Sequence, residues 1–307
     1  MPVPLIECVP NFSEGRRAAV VDRLAAAVRG VAGVRLMDVS PDPDHHRAVL
    51  TFLGRGGAVA EAAFQSAAVA VSEIDLRGHW GVHPRIGAVD VIPFVPLYNA
   101  SIEECAALAR RLGAELASRL GVPVYLYGAA ASDPARRVLS RIRRGGFEEL
   151  RDGIGDPERR PDFGPARVHP TAGAVAVGAR TVLIAMNVDL NSQDLEAARG
   201  IARVIRESGG GLPAVQAMGV PLPSRGIVQV SMNLLDYRRT SPLAAFERVT
   251  AEAARRGIDV AAGELVGCAP REALPPDPVA ALRLRSLRPG QILDPARLAE
   301  DLERETA

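Results

Sequence analysis

The sequence predicts an α/β (α+β) protein built from two βαββαβ modules with a groove between them. Two observations carry this prediction. Apolar runs of strand character and longer stretches of helical spacing alternate in the order β-α-β-β-α-β, and the same order returns in the second half. The 307 residues also suffice for two modest domains, each with its own core.

Residues 3–9 read as a strand. Asn11-Phe12-Ser13-Glu14-Gly15 reads as a turn, with Ser13 placed to cap a helix through about Arg29. Strands are expected at 34–39 and 47–53, and an Ala/Val-rich helix at 57–74. A glycine-bounded loop with His83 precedes a strand at 89–95. This order is the split βαβ, or ferredoxin-like, arrangement. Ser101 and Glu104 form a capping box for a further helix, and Gly121 ends it before a strand over Val122–Tyr127. Residues 128–172 are less regular. They hold Arg-rich helical turns (Arg136, Arg137, Arg141, Arg143, Arg144) and a Gly/Pro/Asp-rich stretch from Asp152 to Gly173. So long an irregular segment in a compact domain points to function. The second half gives a strand at 181–188, a helix at 193–207, strands at 214–219 and 226–233, a helix at 241–256 and a strand at 258–266. The division is therefore 1–180 and 181–307. A groove between two such modules is a common place for a small-molecule site.

Composition narrows the function classes. A net charge of +1 gives no electrostatic reason to expect nucleic acid or a membrane surface. All 37 basic residues are Arg, which excludes lysine Schiff-base and Walker-type chemistry and favours forked recognition of carboxylates. Cys8, Cys105 and Cys268 are too few and scattered for a disulfide framework. The N-terminus lacks a charged-then-apolar signal segment, and no apolar run reaches membrane-spanning length. A cytoplasmic protein is expected.

Gly81-Val82-His83-Pro84-Arg85-Ile86-Gly87-Ala88-Val89-Asp90 is the most informative stretch. Pro84 fixes its own φ and biases His83 toward an extended conformation, while Gly81 and Gly87 permit turns or close approach. A histidine held there beside Arg85 fits a proton shuttle next to an anion clamp, and equally a structural histidine in a loop. Asn11, Ser13 and Glu14 can hydrogen-bond a ligand at the sheet edge, or serve only the helix start. Asp42-Pro43-Asp44-His45-His46-Arg47 reads as a solvated loop, because its spacing fits no closed metal motif. Arg47 opens the next strand, facing the groove or lying at an edge. Gly164-Pro165-Ala166-Arg167-Val168-His169-Pro170-Thr171-Ala172-Gly173 is a second rigid loop with a His-Pro pair. It can wrap a flat ligand or simply connect modules, with Phe163 anchoring it by packing. No GxSxG, Walker, Rossmann or paired-cysteine metal motif is present, and no metal is expected.

These residues resemble the glutamate formiminotransferase family. The resemblance lies in Glu7 to Arg16, His83-Pro84-Arg85 with Gly87-Ala88 and Asp90-Val91, Gly121 to Gly128, and Asp162 to Pro165. It continues in Val215-Gln216-Ala217, Gln229-Val230-Ser231, Asn233 to Asp236, and Leu265-Val266-Gly267. It covers nearly the whole chain and concerns the transferase part alone, without a cyclodeaminase part. It implies transfer of a formimino group from N-formimino-L-glutamate to tetrahydrofolate as co-substrate, in histidine degradation. It also implies that His83 is catalytic, that Gly164 to Gly173 belongs to a folate-binding loop, and that the protein is a homodimer. Arg47 and Arg85 are the arginines expected to hold substrate carboxylates. The family carries an aromatic residue at the position of Ala172 and an apolar one at His169, and small polar residues at His45 and His46. A formyltransferase with the same folate pocket, or a non-catalytic folate-binding protein, are the alternatives.

Overall fold

The computed structural model describes residues 4–306. Contacts divide the chain into two compact units, one running through Arg180 and including Pro295–Thr306, the other Thr181–Asp294.

The first unit opens with β1 (Leu5–Cys8) and β2 (Asn11–Phe12), two pieces of one strand lane interrupted at Pro10. The predicted strand over 3–9 is thus present as β1, its residue 3 lying outside the described residues, while Asn11–Phe12, read from the sequence as part of a turn, pairs on both sides as β2. Helix α1 (Ala18–Arg29) follows, then β3 (Val34–Asp42), β4 (Arg47–Gly54), α2 (Gly56–Glu73), β5 (Val89–Tyr98), α3 (Ile102–Leu120) and β6 (Val124–Gly128). Short helices α4 (Leu139–Ile142) and α5 (Gly146–Gly153) lead to β7 (Val175–Ala179). The β3, β4, β1/β2 and β5 lanes run in antiparallel register, which is the expected split-βαβ order. The sequence pattern does not predict β7. This strand inserts between β5 and β6, parallel to both. Its residues Val-Ala-Val-Gly-Ala are buried on both faces, so they show a short continuous apolar run instead of alternation.

Helices α1, α2 and α3 cover one face of the sheet. Phe12, Phe52, Phe94, Leu24, Leu112 and Leu116 are fully or almost fully buried there, each stabilising the fold by roughly 1.5–3 kcal/mol. Helix α3 begins with the expected capping box: Ser101 Oγ accepts the Glu104 N–H at 3.1 Å, and Glu104 accepts the Ser101 N–H at 2.7 Å. It ends at Gly121, whose φ of 66° is left-handed. The Arg-rich segment covers the opposite face of β5, β7 and β6. Leu150, Ile154, Leu139 and Ile142 pack there on Val91, Tyr125, Tyr127 and Ala176.

The second unit consists of β8 (Ile184–Leu190), α6 (Leu195–Ile205), β9 (Val215–Leu222), β10 (Ile227–Leu234), α7 (Pro242–Ala254) and β11 (Val260–Val266). Its four strands stand in the order β11-β8-β10-β9, all antiparallel, with both helices on one face. The repeat read from the sequence is therefore present. Short β12 (Ala269–Pro270), α8 (Pro278–Ala281) and β13 (Ile292–Leu293) close this unit. The last helix, α9 (Pro295–Thr306), groups with the first unit, whereas the sequence division ended the second subdomain at 307. Arg35 of β3 explains the attachment by pairing with Asp301 at 3.7 Å and with Glu305.

Candidate active site

All five histidines lie in the first unit, and four of them cluster where the β3–β4 turn meets the loop before β5. The turn over Asp42–Arg47 is not the solvated loop its composition suggested. The Asp42 carboxylate accepts the N–H groups of Asp44 and His45 at 2.9 and 2.8 Å, which folds the turn inward and leaves His45 2% exposed. The loop docks on this turn. Val82 N–H donates to Asp44 O at 3.3 Å. A Cβ at Gly81 would stand 2.5 Å from His45 O, so only glycine fits without movement.

His46 and His79 stack, with ring centroids 4.1 Å apart and planes 13° from parallel. The hydrogen bonds fix the tautomers. Arg85 Nε donates to His79 Nδ1 at 2.8 Å, so the His79 proton sits on Nε2 and is donated to His46 O at 2.9 Å. His46 Nδ1 donates to Trp80 O at 2.7 Å, and its Nε2 faces the Glu14 carboxylate at 3.5 Å. Burial is the main cause that drops the His79 pKa to about 4. Arg85 also grips Glu148 of α5 at 2.8 and 3.1 Å, which holds that carboxyl below its usual range. Four of the five N–H groups of Arg85 are thus engaged by the protein. The expected substrate clamp is occupied as a brace.

The His83 ring stands 6.3 Å from that of His45, tilted by 44°. Burial lowers the pKa of His83 strongly, and the charges of Arg47 and Arg143 press the same way. Arg143, between α4 and α5, is tied to Asp90 at the start of β5. Asp90 in turn accepts the Ile86 N–H at 2.8 Å, so one buried carboxylate sets both the loop's exit and the arginine beside His83. The Nε–H of Arg143 is buried and makes no hydrogen bond among the described residues.

Ser13 does not cap α1. The carboxylate of Glu14 accepts the N–H groups of Arg16 and Arg17 at 2.9 Å, and these bonds outweigh burial to hold Glu14 below its usual pKa. Ser13 instead donates from Oγ to Gly87 O at 2.7 Å, and its N–H binds Ala88 O. Asn11 lies in β2 between Val49 of β4 and Val91 of β5.

The second loop joins the first along its C-terminal half. Ala88 N–H donates to Ala172 O, Ala174 N–H to Ile86 O, and Leu76 N–H to Thr171 O, all within 2.8–2.9 Å. Gly87 and Gly173 face each other, and a Cβ at Gly87 would fall 1.8 Å from Ala174 O. His169 folds the loop's own turn: its Nδ1 accepts the Ala172 N–H at 3.0 Å. Ala172 is 1% exposed and packs among Ala67, Val71 and Leu116, so it presents nothing to a ligand. At the loop's other end Gly164 lies by Val122 and Pro123, Pro165 is half-buried, Ala166 and Arg167 are exposed, and Val168 and Pro170 link the two halves. Phe163 anchors that end as expected, in the space left by Gly113 of α3. Behind α4, a cleft of about 600 Å³ is lined by Tyr125, Arg136, Arg141, Arg144, Leu150 and Arg159.

The structure thus unites Ser13, Arg47, His83, Arg85 and Thr171 to Gly173. Sequence reasoning does not single out His79, Asp90, Arg143, Glu148 or Trp80 as site residues. Asp90 carries a signal, a carboxylate in an otherwise apolar strand opening. Residues 5–180 match the model of the N-terminal subdomain of the formiminotransferase domain, and residues 185–276 match the model of the formiminotransferase domain. The chain belongs to the formiminotransferase family. Stand-alone relatives are similar over most of their length. A glutamate formimidoyltransferase from Streptococcus pyogenes serotype M1 is 42% identical, with 88% of this chain and 90% of the relative covered. One from Thermoplasma acidophilum is 44% identical, covering 94% and 96%. The formimidoyltransferase-cyclodeaminase of Mus musculus is 43% identical over 88% of this chain and 51% of its own length. No metal-holding group of three or more His, Cys, Asp or Glu occurs among the described residues, and no described helix is long and apolar enough to cross a membrane.

Proposed function

We propose that this protein is a glutamate formimidoyltransferase that moves the formimino group of N-formimino-L-glutamate to N5 of tetrahydrofolate, with His83 as its proton carrier. The observation that carries the reading is the coincidence of family and site. The histidine of the family-like motif is held neutral by burial and two arginines, in a loop whose exit at Ile86–Ala88 is hydrogen-bonded to the second family-like loop.

The chemistry follows from that state. N5 attacks the formimino carbon and a tetrahedral intermediate forms. Neutral His83 takes the proton from N5, then delivers it to the departing glutamate nitrogen as the old C–N bond breaks. A depressed pKa makes the imidazolium a ready acid for the second half of this cycle, and general acid–base catalysis of this kind is worth about 10²–10⁴-fold. Holding both substrates in register contributes further. Arg47 and Arg143 supply positive charge beside His83 for donor carboxylates, and the arginine-lined cleft suits the acidic end of the folate. Arg85, Glu148 and His79 act through the loop they brace. No step requires a metal.

We also propose a cytoplasmic homodimer. Three free, buried cysteines suit a reducing compartment. The test of function is product formation from N-formimino-L-glutamate and tetrahydrofolate, with N-formyl-L-glutamate offered separately. Transfer from the formimino donor supports the reading. Folate binding in calorimetry without transfer from either donor overturns it.

A further inference from the structure

Trp80 is the chain's one tryptophan, and it is 71% exposed. Tryptophan is highly buried on average. The residue is nevertheless held in place. The Arg16 guanidinium lies over its ring, 3.8 Å from the centroid, and Arg16 Nε is itself fixed on Pro43 O at 2.9 Å. The Trp80 carbonyl is held by His46, and Gly81 beside it is pressed on the β3–β4 turn. One indole face is therefore covered by a cation, while the ring as a whole stays accessible three residues from His83. A second observation concerns supply. The loop from Gly164 to Gly173 contains no aromatic residue, and Phe163 is packed into the core. In the first unit Phe12, Phe52, Phe64, Phe94, Phe147, Tyr125 and Tyr127 are all buried, and half-buried Tyr98 stands at the far end of β5 from the His83 loop.

We propose that Trp80 is the stacking platform for the flat ring system of tetrahydrofolate in this enzyme. The inference rests on the function proposed above. A pre-positioned indole binds a flat heteroaromatic ring with little loss of side-chain freedom. It would set the reacting edge of the folate beside the loop that presents His83. A second copy of this chain is the competing occupant of the same ring.

The single tryptophan makes the test direct. Transfer activity of the wild-type protein is measured first, because its absence overturns the functional reading and the platform with it. Tetrahydrofolate is then titrated while tryptophan emission is followed, corrected for absorbance with free N-acetyltryptophanamide. Saturable quenching is expected. Trp80→Ala should raise KM for tetrahydrofolate about tenfold with a much smaller change in kcat and in KM for N-formimino-L-glutamate. Trp80→Phe should recover most of the loss. Active wild-type protein with no quenching, or with unchanged KM in Trp80→Ala, overturns the platform alone. So does a concentration-dependent association that Trp80→Ala abolishes without changing KM, since the ring then packs on another copy.

Discussion

Arg85 holds His79 at two points, donating from Nε to the ring Nδ1 at 2.8 Å and from Nη2 to the backbone carbonyl at 3.0 Å. The Arg85 side chain is 12% exposed and the far edge of its guanidinium is closed by Glu148. A planar fork used in this way fixes the start of the loop that carries His83. Lysine cannot reproduce the geometry. Arg85→Lys should therefore cost about 1–3 kcal/mol of stability and lower kcat, with little change in KM for N-formimino-L-glutamate. Chemical denaturation and steady-state kinetics check both parts. A large rise in donor KM with stability intact would make Arg85 a substrate clamp after all.

Burial of His79 sets a pH dependence. The folded pKa of His79 is about 4 against an ordinary value of 6.5, so below 6.5 the unfolded chain takes up a proton that the native state refuses. Stability present above 6.5 is lost as pH falls from 6.5 toward 4. The loss from His79 alone amounts to roughly 1–3 kcal/mol, solvent screening at the ring's open edge keeping it below the full linkage value. Buried His83 acts in the same direction. Urea unfolding across this range should show a falling midpoint, and His79→Gln should flatten the slope. An unchanged slope in that variant would contradict the assignment.

Glu7 runs the opposite way. Burial outweighs the charge of Arg180 and raises its carboxyl to about 7 from 4.5. Native protein retains a proton that unfolded chain has lost, so this group's contribution to stability declines as pH rises from 4.5 to 7. Glu7→Gln removes that decline. The variant should gain thermal stability relative to wild type as pH is raised through this window, and a constant difference would refute the prediction.

Gly87 is the tightest backbone contact between the two loops. Gly87→Ala drives a Cβ into Ala174 O and should cost at least about 2 kcal/mol, with loss of turnover. Gly57, in α2, has no atom within 4 Å of an added Cβ. Gly57→Ala should stabilise by up to about 1 kcal/mol and leave turnover intact. The two melting curves, run side by side, separate a steric glycine from an incidental one.

The fold is largely legible in the sequence because its elements announce themselves locally. Alternating or helical spacing locates both βαββαβ repeats, and the Ser101–Glu104 box and Gly121 bound α3 within a residue. Strand β7 is not legible, since Val175–Ala179 is short, small-sided and covered on both faces. The site is half legible. His83 and the loop ending at Gly173 stand out through Pro and Gly, whose backbone limits are intrinsic. His79 and Glu148 do not, because their roles arise from partners 33 to 63 residues away. Ser13 shows how a local setting misleads about a role. Its local setting predicts a helix cap, but the Glu14 carboxylate binds the free N–H groups there and Ser13 ties the two loops together.

His83 as proton carrier is the central claim, and one paired measurement on His83→Ala tests it most directly. Turnover of N-formimino-L-glutamate with tetrahydrofolate should fall by at least about 10²-fold, while calorimetry shows tetrahydrofolate still bound with near wild-type affinity. Turnover close to wild type in that variant would contradict the account.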